Sequence, residues 1–83
     1  MQIEAVQQRI RETITRLLSD RGHPIPEIAG ESSFLSGEIG IDSVDLAAVV
    51  VELQEFTGKD PFEDGFINFR TVDELARLFA EAA

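Results

Sequence analysis

The strongest constraint on this chain is a helical repeat at its start. Ile3, Val6, Ile10, Ile14, Leu17 and Leu18 follow one another at steps of 3, 4, 4, 3 and 1. That spacing puts them on one face of an α-helix over residues 3–19, with Gln7, Arg9, Arg11, Glu12 and Arg16 elsewhere on the cylinder. Gly22 stops the helix, and Pro24 and Pro26 prevent a restart. A second helix is predicted over residues 43–57, closed by Gly58, with Leu46, Val50 and Leu53 as its core stripe and Ala47 and Val49 at the flanks. The last helix is announced by Thr71-Val72-Asp73-Glu74, a capping box in which Thr71 takes the Glu74 amide and Glu74 reaches back. Val72, Leu75, Ala76 and Phe79 then repeat on its inward face. No alternating apolar/polar run and no Asn-Gly or Asp-Gly hairpin occurs, so strands are not expected.

Two connections complete the prediction. Residues 22–42 are rich in Gly, Pro and Ser, a long loop for so small a domain. Ile25, Ile28, Phe34, Leu35, Ile39 and Ile41 are expected to pin it over the helices. In Lys59–Phe69, Asp60-Pro61 suits the start of a brief helix that Gly65 ends, while Phe62, Phe66, Ile67 and Phe69 add bulk to the core. The expected fold is all-α: one domain over residues 1–83, a small antiparallel helical bundle of three long helices plus one short helix, with the long loop between helices 1 and 2.

Composition narrows the function. An 83-residue chain without cysteine has neither a disulfide nor a thiol nucleophile, and the single His23, between Gly22 and Pro24, is expected to be an exposed turn residue rather than a base or ligand. No nucleophile–base pair can be assembled, which argues against an enzyme. A metal site from Asp60, Glu63 and Asp64 is disfavoured, since acids ordinarily cluster at helix starts. Sixteen acidic against seven basic side chains give a net charge of −9, which repels nucleic acid and anionic membranes and favours partners with basic patches. No apolar run approaches the roughly 18 residues of a membrane helix. Met1-Gln2-Ile3-Glu4 leads directly into the first amphipathic pattern, and a cytoplasmic monomer is expected.

The informative stretch is Gly40-Ile41-Asp42-Ser43-Val44-Asp45, at the mouth of the second helix. Asp and Ser before a helix are ordinary caps. Here Asp42 suffices as N-cap and Asp45 is a favourable first-turn acid, leaving the Ser43 hydroxyl free to face solvent. A helix N-terminus welcomes an attached phosphate, but Asp42 and Asp45 partly oppose a free anion, so a covalent phosphodiester fits better than a bound ion. Away from the core stripe, Val44, Ala48 and Val51 align at i, i+4 and i+7 beside Ser43, with Asp45, Glu52 and Glu55 expected as a charged rim. An apolar centre with a charged rim is the anatomy of a protein contact.

With these residues in this register, the chain resembles the acyl carrier and peptidyl carrier proteins, of the discrete, stand-alone type. The likeness runs from the amphipathic first helix through the long loop and the Gly40–Val44 motif to Phe69-Arg70-Thr71-Val72-Asp73-Glu74-Leu75. The resemblance implies a non-catalytic carrier. Ser43 matches the serine that receives 4′-phosphopantetheine from coenzyme A through a phosphopantetheinyl transferase, and the arm's terminal thiol then holds an acyl or aminoacyl group as a thioester. Asp42, Val44 and Asp45 match positions that meet the transferase and other partners, and Val51 and Glu55 fall on the recognition-helix face. Implied partners are an acyltransferase or adenylating enzyme and a ketosynthase or other pathway enzyme with basic and apolar docking patches.

The chain also departs from the fatty-acid carriers. Ala48 and Gln54 stand where acidic residues are common, Val44 replaces leucine, and Phe56 comes one residue early. Fewer carboxylates favour partners that rely on apolar contact, hence a carrier in polyketide or nonribosomal-peptide biosynthesis. The Gly58-Lys59-Asp60-Pro61-Phe62 run is similar to stand-alone carriers of that kind. The alternatives are a fatty-acid carrier, a D-alanyl-type aminoacyl carrier and, outside the class, an acidic helical adaptor without a prosthetic group. Some of the six phenylalanines, five of them from Phe56 onward, are candidates to line a cleft for an acyl chain.

Overall fold

The computed structural model describes residues 2–34, 39–63, 65 and 67–81. They form three helices, α1 (Ile3–Asp20), α2 (Ser43–Thr57) and α3 (Val72–Glu81). α1 ends where the sequence places its stop. Gly22, at φ 71°, donates its amide to the Ser19 carbonyl (3.0 Å) and His23 donates to Leu18 (3.0 Å), the paired bonds of a Schellman cap. Gly58 closes α2 in the left-handed conformation, its amide on the Gln54 carbonyl. At the start of α3 the Thr71/Glu74 capping box is present, with the Glu74 amide donating to Thr71 Oγ1 (3.2 Å) and the Thr71 amide to Glu74 Oε1 (3.2 Å).

α1 is the central element and packs against both α2 and α3, which touch each other much less. Its stripe Val6, Ile10, Ile14 and Leu18 is buried, with Ile3 and Leu17 partly so, and all four predicted α3 residues are buried against it. Thr13, also buried, satisfies its hydroxyl on the Arg9 carbonyl (2.8 Å). On α2 the buried line is Asp45, Val49 and Leu53, with Leu46 and Val50 at its border and Ala47 exposed. The core stripe is therefore rotated from the predicted one. α2 is apolar around much of its circumference, so its own pattern fixes the inward direction poorly; in the structure Glu52 faces α1 and pairs with Arg9 and Arg16.

The long loop is anchored by Phe34 and Ile39, which are buried, and by Ile28 and Ile41, which pack on the core. Ile25 is not an anchor: it lies 52% exposed, directly before Pro26 on the surface. Leu35 lies outside the described residues. The loop also bonds to the entry of α3 through Phe34 N–H to Arg70 O (2.8 Å), Val72 N–H to Ser32 O (3.1 Å) and Asp73 N–H to Gly30 O (2.8 Å), with an isolated antiparallel bridge between Ser33 and Thr71. The brief helix expected after Asp60 is represented among the described residues by a turn at 61–63, where the Glu63 amide donates to the Asp60 carbonyl (3.3 Å). Asp64 and Phe66 lie outside the described residues. Ile67, expected in the core, is 46% exposed, while Phe62 and Phe69 do pack on it.

Candidate functional site

The site is built at the junction of the long loop with α2. Gly40, at φ 82°, has open space where a Cβ would sit, so it is the backbone angle that calls for glycine there. Ile41 packs on the core and fixes the approach of the chain. Asp42 then adopts extended backbone and caps the helix: its Oδ1 accepts the Asp45 amide (2.9 Å), and its own amide donates to Asp45 Oδ2 (3.3 Å). The two aspartates thus form a reciprocal capping box, a stronger arrangement than a cap plus a dipole-favoured acid. The Asp45 amide above all, helped by the Arg21 guanidinium and the Val44 amide, holds the Asp42 carboxyl below its ordinary value of 3.8.

With both carboxylates occupied in capping, Ser43 is left exposed, and its hydroxyl makes no hydrogen bond among the described residues. Its neighbours Asp42 and Asp45 are engaged in the cap, and the hydroxyl is presented to solvent at the start of α2.

The carboxylates around it do not all sit on a rim. Asp45 is only 3% exposed and is paired with Arg21, which follows the last residue of α1. Arg21 also lies 3.9 Å from Asp42 Oδ2. Glu52 faces α1, bound by Arg16 at 2.8 Å and approached by Arg9 at 3.9 Å. Arg9 lies over the ring of Phe56, 4.3 Å from its centroid. Of the three expected rim acids, Glu55 is the one exposed to solvent. Val44 is 73% and Val51 50% exposed, and Ala48 is half-buried.

A groove lies beside Ser43, and two of the phenylalanines that the sequence offered as candidates to line a cleft are in its wall. About 430 Å³ in volume and largely apolar, it is lined by Ser43, Leu46, Ala47, Val50, Val51, Gln54, Phe62 and Phe69. Phe62 and Phe69 form its far wall, ring centroids 6.0 Å apart, and lean on Phe79 and Phe34 behind them. What the sequence did not anticipate is the part that Leu46, Ala47, Val50 and Gln54 of α2 take in the lining. Arg21 was also missed, since nothing in local spacing links it to residues twenty positions later. His23 is exposed, as predicted. Asp60 serves locally, accepting from the Phe62 amide (3.0 Å) and Gln54 Nε2 (3.1 Å), and among the described residues no group of acids and histidines suited to a metal occurs. No helix among them is long and apolar enough to cross a membrane.

A protein-family model described as a phosphopantetheine attachment site matches residues 8–79, most of the chain. No curated protein and no solved structure matches significantly.

Proposed function

Because the chain belongs to the phosphopantetheine-attachment family, whose domains bear a covalent 4′-phosphopantetheine, we propose that Ser43 is its attachment point and that the protein carries acyl or aminoacyl groups between separate enzymes. The observation that carries the assignment is the division of labour at the α2 entrance: Asp42 and Asp45 complete the cap between themselves, and the exposed Ser43 hydroxyl is left over. When bound, the arm supplies the thiol that this cysteine-free chain lacks. The chain's own residues present the serine, hold the helix end rigid and offer a surface to the enzymes that act there.

That surface is read as Val44, Ala48 and Val51 with Asp42 and Glu55 at its edge. Asp45 and Glu52, turned toward Arg21 and the α1 arginines, shape it from behind rather than touching a partner. Fewer free carboxylates and two exposed valines favour partners with apolar patches, which supports a carrier for polyketide or nonribosomal-peptide enzymes over one for fatty-acid synthesis. The groove beside Ser43 offers apolar cargo a place to rest. In this reading the chain is a carrier on which its partner enzymes act.

The test is incubation with coenzyme A and a promiscuous phosphopantetheinyl transferase, read by intact mass. A gain of one phosphopantetheine on the wild type and none on Ser43→Ala is expected. No gain on the wild type, or an equal gain on Ser43→Ala, would overturn the assignment and leave the acidic adaptor as the reading.

A further inference from the structure

In the first turn of α2 Ser43 follows Asp42 and precedes Asp45 in the chain, and the modification proposed above adds a third negative charge to that turn. Transfer forms a bond from the serine oxygen to phosphorus as the phosphoanhydride of coenzyme A breaks. The nucleotide half leaves, the serine proton passes to the transferase, and a phosphodiester that stays ionised at any working pH remains. Such a cluster needs a cation. Among the described residues, Arg21 is the one cationic side chain within ion-pair distance of either aspartate, bonded to Asp45 and 3.9 Å from Asp42. It projects from a different element, the end of α1, where a cation also complements the helix dipole. Two aspartates and one arginine leave a single net negative charge around the unmodified serine.

We propose that Arg21 is the built-in counter-ion of the modification site, a positioning residue that acts through Asp42 and Asp45 to let a phosphodiester be placed and kept on Ser43. The inference rests on the carrier reading. It concerns charge balance and not simply the packing of the α1 end against α2. A role in packing alone would cost the unmodified and modified proteins equally.

The experiment compares unmodified and modified forms of the wild type, Arg21→Gln, Arg21→Lys and the double variant Arg21→Gln/Asp45→Asn, which removes one charge of each sign. Melting temperature and the kcat/KM of loading by the transferase are measured for each. Arg21→Gln is expected to load about three- to tenfold more slowly, the scale of one unscreened charge at a half-exposed site. Its modified form is expected to melt several degrees lower, relative to its own unmodified form, than the wild-type pair does. Arg21→Lys and the double variant are expected to recover most of the wild-type melting difference. The double variant also answers if Arg21→Gln alone fails to fold, because it strands no buried carboxylate. If the wild type loads but the difference between forms in Arg21→Gln equals that of the wild type, or, where Arg21→Gln does not fold, the double variant shows a larger difference between forms than the wild type, the counter-ion role is overturned while the carrier reading stands. A wild type that gains no mass overturns both.

Discussion

Replacing Asp45 by alanine removes two interactions at once: the acceptor for the Asp42 amide and the partner of Arg21. Losing one half of a capping box costs about 1 kcal/mol. Breaking a fully buried ion pair costs about 3–5 kcal/mol. Here the Asp45 side chain is 4% exposed but that of Arg21 is 40% exposed, so the guanidinium can turn to water, and about 1–2 kcal/mol is the appropriate share. Asp45→Ala should therefore lose about 2–3 kcal/mol. Asp45→Asn keeps the shape and the acceptor while losing the charge, and should lose about 1–2 kcal/mol. At about 4–8 °C per kcal/mol for a domain of this size, the melting temperature falls by about 8–24 °C for the alanine and about 4–16 °C for the asparagine. Thermal unfolding followed by far-ultraviolet circular dichroism reads both, with Val44→Ala as an exposed control on the same turn. If neither Asp45 variant moves further than the control, Asp45 belongs on the solvent-facing rim that the sequence suggested, and the account of the α2 entrance is wrong.

Other expectations follow from the same contacts. Val44→Asp and Val51→Asp should change stability by no more than about 0.5 kcal/mol, because both side chains are exposed, yet should slow turnover by partner enzymes; equal losses of melting temperature and turnover would show them to be core. Leu53→Ala, fully buried on α2, should cost about 2–5 kcal/mol, measurable by chemical denaturation. A double-mutant cycle on Arg16 and Glu52 should return only about 0.5 kcal/mol of coupling, since both side chains keep contact with water. The lowered Asp42 carboxyl contributes stability that is present above its ordinary value of 3.8 and is lost as pH falls through its lower folded value. Asp42→Asn should flatten the acid limb of a melting-temperature profile below about pH 4, and an unchanged limb would count against the capping role.

The helices were legible because their signals are local. The α1 stripe, the Gly22 and Gly58 stops, and the Thr71/Glu74 box each act within a turn or two of chain, and each lies where the sequence put it. So was the Asp42 cap. The facing of α2 was harder: with Val44, Ala47, Val50 and Val51 all apolar, a wheel drawn from hydrophobicity has no sharp direction. The acids that face inward meet partners distant in sequence, Arg9 and Arg16 on α1 and Arg21 just after it, which no wheel of α2 alone contains. The exposure of Ile25 has the same character, since an apolar loop residue becomes an anchor only if the loop's path brings it to the core. The groove beside Ser43 depends on Phe62 and Phe69 meeting α2 from a segment with no regular periodicity.

The main-chain bonds from Gly30, Ser32 and Phe34 to residues 70–73 also bear on how the chain folds. They join positions about forty residues apart, so the first loop cannot settle once α1 and α2 have met; it must wait for the last helix to arrive and supply its backbone partners. Closing a loop of that length adds only slowly to the entropic cost, but it makes the ordering of the loop nonlocal. The loop at residues 30–34 thus draws its order from the far end of the chain, and the amides of Phe34, Val72 and Asp73 should exchange with solvent as one cooperative unit rather than as a fraying loop beside a stable helix.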